Sequence, residues 1–111
     1  MNIDKLSIGE AKEIAKIFGK EAQPGSGPWQ LGKIYLIRTV TMIDTGRLVE
    51  VTPNELVLED AAWIADTGRF SDALKSARFN EVEPFPDGRV IIGRFSVIDA
   101  IEISTIQRLQ K

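Results

Sequence analysis

The stretch KIYLIRTVTMIDTGRLVEVTPNELVLE, residues 33–59, decides the fold. Its Tyr, Ile, Val and Thr content suits β-strands. Two turn signals divide it, Asp44-Thr45-Gly46 and Thr52-Pro53-Asn54. Three strands are therefore predicted, Lys33 to Thr41, Arg47 to Val51 and Glu55 to Glu59, with Gly46 free to adopt positive φ in the first turn. Strand side chains alternate between faces. Ile34, Leu36, Arg38 and Val40 share one face of the first strand, and Tyr35, Ile37, Thr39 and Thr41 the other. Arg38 thus lies in register with apolar neighbours. A charge there is costly unless paired, so it calls for a carboxylate or an anionic ligand. Arg47 follows the turn, where solvent can reach it.

Downstream, Asp60 to Gly68 (DAAWIADTG) reads as a close-packed corner in which small residues flank Trp63. Ser71 to Ala77 predicts a short helix with Ser71 as N-cap and Phe70, Ala73, Leu74 and Ala77 as its buried stripe. Phe79 to Phe85 alternates like a strand, and Pro86-Asp87-Gly88 is a turn. Arg89 to Arg94 and Ser96 to Ile103 give two further strands, broken around Gly93. Asp99 shares a parity with Val97, Ile101 and Ile103, which makes it a possible companion for Arg38. The polar tail Ser104 to Lys111 is expected to fray.

Upstream, Ser7 and Glu10 form a capping box for a helix running to Phe18, with Ile8, Ala11, Ile14, Ala15 and Phe18 on one face and Gly19 as the stop. Residues 20–32 read as a linker rich in Gly and Pro. Within it, Trp29 is either a plug on the core or a ring at a binding surface. The expected organisation is thus a helix over 1–19, a linker over 20–32 and a β-rich domain over 33–111. The fold class is α+β: a small, strongly bent antiparallel sheet or barrel, with an N-terminal helix and one short inserted helix.

Composition removes several functions. The chain has 111 residues, enough for one domain, and neither cysteine nor histidine. Ordinary zinc sites and Ser-His or Cys-His nucleophile pairs are excluded, so the chain is expected not to be an enzyme, and no cofactor or metal is assigned. A net charge of −2 argues against nucleic acid as the partner. Two Asp-Thr-Gly triplets, 44–46 and 66–68, match the aspartic-protease tripeptide, but turn chemistry alone accounts for them. No apolar run approaches the length that crosses a bilayer, and the opening residues lack the pattern of a signal peptide, so no membrane association and a cytoplasmic location are expected.

Binding remains. Arginine outnumbers lysine through residues 33–111, and its planar fork grips phosphate or carboxylate while aromatic rings stack on a base. Arg38, Thr39, Arg47, Trp63, Arg69, Phe70 and Arg94 are the candidate ligand-binding residues. The plain alternative for each arginine is a surface ion pair.

The succession Tyr35-Leu36-Ile37-Arg38-Thr39, Thr45-Gly46-Arg47-Leu48, Glu55 to Trp63 (ELVLEDAAW) and Asp99-Ala100-Ile101-Glu102-Ile103 resembles small proteins encoded by phages and prophages, with a layout comparable to the phage Thoeris anti-defence sponges. The resemblance covers about Lys33 to Ile103. It implies a homo-oligomer that sequesters a cyclic nucleotide of the cyclic ADP-ribose kind without cleaving it, with Arg38 and Thr39 on the first strand and Trp63 after the third. Two alternatives stay open. One is a virion or assembly protein. The other is an Sm-like RNA-binding ring, to which the strand–Gly–strand form of Arg89 to Ile103 is similar.

Overall fold

The computed structural model describes residues 27–111, and the expected helix from Ser7 to Phe18 lies outside them, as does the start of the linker. Six strands form one antiparallel sheet: β1 (Ile34–Thr39), β2 (Ile43–Val51), β3 (Glu55–Asp66), β4 (Glu81–Pro84), β5 (Val90–Gly93) and β6 (Val97–Glu102). Helix α1 (Phe70–Ser76) joins β3 to β4, and a 3-10 turn (Arg94–Ser96) joins β5 to β6. The strand order is β4-β3-β2-β1-β6, with β5 also paired to β3. An antiparallel sheet with one inserted helix is as expected. The barrel alternative is not: no pairing joins β6 back to β4 or β5, so the sheet stays open.

The long third strand organises the rest. β3 runs through the segment read as a corner, because its two halves serve different neighbours: Glu55 to Leu58 pair with β5, and Ala62 to Asp66 with β4. Between them Asp60 takes φ 51°, in the left-handed region. This bulge shifts the alternation by one residue. Leu56, Leu58 and Ala61 face one buried cluster with Tyr35, Ile37, Leu48 and Ile92, whereas Ala62 and Ile64 face another with Leu36, Ala73, Phe79, Val82 and Ile103. Each face of the sheet therefore carries its own core, and α1 covers the second.

The two Asp-Thr-Gly triplets come out differently. At 66–68 the turn forms: the Asp66 carboxylate accepts the Gly68 amide at 2.8 Å, and Gly68 has φ 70°. At 44–46 the expected turn is absent, and all three residues lie inside β2. Thr45 is buried there and donates its hydroxyl to the Tyr35 carbonyl at 2.8 Å. Gly46 serves packing instead of a turn, since a Cβ on it would stand 3.0 Å from the Glu59 carbonyl oxygen and 3.1 Å from the Ala61 Cα. The chain reverses earlier, at residues 40–42, where the Thr39 amide donates to the Met42 carbonyl at 2.8 Å and the Thr39 hydroxyl accepts the Met42 amide at 3.1 Å.

Two other expectations are corrected. Arg69, not Ser71, holds the N-cap position of α1, with no side-chain cap, because the Gly68 turn delivers the chain directly into the helix and lets Phe70 cover the second core. The tail is tied down rather than frayed. Lys111 exchanges backbone hydrogen bonds with Val82 at 3.0 and 3.2 Å, Gln107 donates to the Ala77 carbonyl at 2.9 Å, and Arg108 donates to the Ala61 carbonyl at 2.7 Å.

Candidate functional site

Arg38 stands directly opposite Asp99 in the β1–β6 pairing. Its Nε donates to Asp99 Oδ1 at 2.7 Å, and its Nη2 donates to Oδ2, a bidentate pair. The same guanidinium lies 4.6 Å from the centroid of the Phe70 ring, a cation–π contact. The arginine's hydrogen bonds hold the Asp99 carboxyl below the usual carboxylate range, and the carboxylate raises the guanidinium in turn. Both side chains remain about half exposed, at 40% and 48%. The chain thus answers the apolar-face arginine with its own carboxylate, at the rim of the second core.

The seven candidate residues do not converge. Arg38 and Phe70 meet. Thr39 is occupied in the turn at 40–42. Arg47 donates to Asp60 at 2.6 Å, across the β3 bulge. Trp63 is 38% exposed and stands in register between Asp44 on β2 and Glu83 on β4. Arg69 is exposed at the helix start. Arg94 anchors the 3-10 turn, donating from Nη1 to the Thr52 carbonyl at 2.7 Å and from its amide to the Asn54 carbonyl at 2.9 Å.

A concavity among the described residues lies elsewhere, on the opposite sheet face. A pocket of about 340 Å³ is lined by Pro28, Trp29, Tyr35, Val97, Ile98, Asp99 and Ala100. Alternation places Tyr35 and Ala100 on the face away from the Arg38 side chain, so Asp99 borders both places: it lines the pocket while its carboxylate meets Arg38. Trp29 and Tyr35 meet edge to face, 5.1 Å between centroids at 70°. The Tyr35 hydroxyl accepts the Gln30 amide at 3.1 Å, which fixes the approach of the linker. Trp29 packs on the first core, as the plug reading expected, and it also lines the pocket.

The pocket's other residues were not legible as a site. Tyr35 and Ile98 look like ordinary strand apolars, and only a lone tryptophan between Pro28 and Gly32 signalled that the linker closes over a cavity. Among the described residues no group of acidic side chains could hold a metal ion, and no helix is long and apolar enough to cross a membrane.

No family model, curated protein or solved structure matches this chain.

Proposed function

We propose that this protein is a non-enzymatic binding protein that holds a ring-bearing small molecule against Trp29 and Tyr35. The observation that carries the reading is the pocket itself: mostly apolar, walled by two rings in fixed mutual geometry, with the strand backbone of Val97 to Ala100 along one side. At about 340 Å³ it matches one heterocycle more closely than a whole dinucleotide. The resemblance to anti-defence sponges gives the ligand class, a cyclic nucleotide of the cyclic ADP-ribose type. Its base would pack on Trp29. Its phosphate would have to draw Arg38 away from Asp99 and around the β6 edge.

Calorimetry with cyclic ADP-ribose isomers and cyclic dinucleotides tests the reading. Saturable heat without turnover, lost in Trp29→Ala, is the expected result. Heat that survives Trp29→Ala places the site elsewhere, and no heat with any of these compounds rejects the ligand class.

An assembly role is the second reading, favoured by the exposed apolar edge of β6. The Sm-like variant of it draws on the strand–3-10–strand succession from Val90 to Glu102 but sits poorly with a net charge of −2.

A further inference from the structure

Three strand edges are open to comparison. The outer edge of β4 is sealed by the chain itself, through the Val82–Lys111 exchange. β5 is four residues long and runs straight into the 3-10 turn. β6 is six residues long, and among the described residues it pairs on one side only. Its exposed side chains include Ile98, 64% accessible, and Ile101, 44% accessible, and Phe95 just before it is 88% accessible. Edges of this kind are normally protected by unpaired charge. Here both carboxylates of β6 are already neutralised from within, Asp99 by Arg38 and Glu102 by Lys33 at 3.7 Å.

We propose that the β6 edge is the interface with a second copy of this chain, paired antiparallel about a two-fold axis at Ala100. Register limits where the axis can lie. The Ile103 amide donates to the Ile34 carbonyl, so alternation turns the backbone groups of Asp99, Ile101 and Ile103 toward β1 and those of Ala100 and Glu102 outward, up to the irregularity at Ile98, where the pairing passes from Arg38–Asp99 to Thr39–Val97. A two-fold perpendicular to the sheet must pair residues of the same face. Centred on Ala100, it joins Ala100 to its own copy through the outward-facing groups and sets Ile98 opposite Glu102 of the second copy. It also sets Asp99 beside Ile101 of the second copy. Centring on Asp99 instead would oppose two carboxylates. An isologous contact of this kind closes at two copies.

The arrangement bears on the pocket. Ile98 and Ala100 line it and lie at the axis, so the two pockets open on the same face of one continuous sheet. Each gains Glu102 of the second copy at its rim. The dimer does not depend on the ligand proposed above, so its failure and that reading's failure are separable.

Sedimentation equilibrium and amide hydrogen exchange on the full chain test the interface. The expected species has twice the 12.3 kDa monomer mass. Ile98→Lys, which places a charge at an already accessible position, should yield monomer with unchanged circular dichroism. The amides of Ala100 and Glu102 should be protected in the wild type and lose protection both on dilution and in Ile98→Lys. Ala100→Gln, which keeps the amide and adds no charge, should remain a dimer. A monomer at high concentration overturns the proposal. So does a dimer indifferent to Ile98→Lys, or an assembly larger than two with protected β5 amides. Protection of the two amides in a monomer also overturns it.

Discussion

Gly46 lies against Ala61 so closely that a methyl group on the glycine would stand 3.1 Å from both the Cα and the Cβ of the alanine. The contact is backbone to backbone on one side, with the Glu59 carbonyl oxygen at 3.0 Å, so no side chain can swing away to make room. It marks where β2 crosses the bulge of β3, and it explains a glycine with no turn to make.

Gly46→Ala should therefore destabilise the fold by about 1–3 kcal/mol, the usual cost of overpacking a close contact. Urea denaturation measures it. An unchanged midpoint would mean that β3 can bow away at no cost.

Asp60 carries the bulge with φ 51°, a conformation that costs a residue with a Cβ about 1 kcal/mol or more. Its ion pair with Arg47 is half exposed and contributes little. Asp60→Gly should match or exceed wild-type stability, and Asp60→Val should fall below it by about 1–2 kcal/mol, since branching at Cβ is least tolerated there. Thermal unfolding of the two variants side by side checks the order.

Asp44 is buried inside β2, and that burial pushes its carboxyl above the ordinary range. Below the pKa of the unfolded chain the group is protonated in both states and costs nothing. As pH rises through the raised folded value, ionisation inside the fold is opposed and stability is lost. Asp44→Asn should have a smaller loss of melting temperature from acid to neutral pH than the wild type. Parallel slopes in the two proteins would show that Asp44 does not titrate this way.

Asp99 has the opposite sign. Its lowered carboxyl contributes stability above the unfolded pKa, and that contribution disappears as pH falls through the folded value. Arg38→Met removes the first cause of the shift, so the Asp99 carboxyl resonance should titrate at higher pH in that variant. An unmoved titration would mean that Arg38 and Asp99 do not hold their bond in solution.

The alternation of residues 33–59 placed Arg38 on the face of Leu36 and pointed to Asp99, and the two residues pair across β1 and β6. That much was legible because period-two patterning is local. The Asp44-Thr45-Gly46 turn was misread because the demand on Gly46 comes from Ala61 and Glu59, which sequence proximity does not reveal. DAAWIADTG hid a strand, because small residues that look like a corner are what a bulged strand needs between two cores. The tail looked free because its order comes from backbone pairing with Val82 and from two side chains that reach distant carbonyls, Ala77 at the end of α1 and Ala61 on β3. The site was the least legible part: arginines suggested it, whereas two rings and the edge strand form the cavity.

The bidentate bond between Arg38 and Asp99 spans 61 residues of chain. β1 and β2 can zip together across a short turn, but β6 must wait for the long loop between them to close, and contacts of such separation slow folding. Loop-closure entropy predicts an order in which the β1–β2 hairpin forms before the β1–β6 seam closes. The pair on that seam acts as a latch in time, and until it engages the wall of the pocket formed by Val97 to Ala100 is missing.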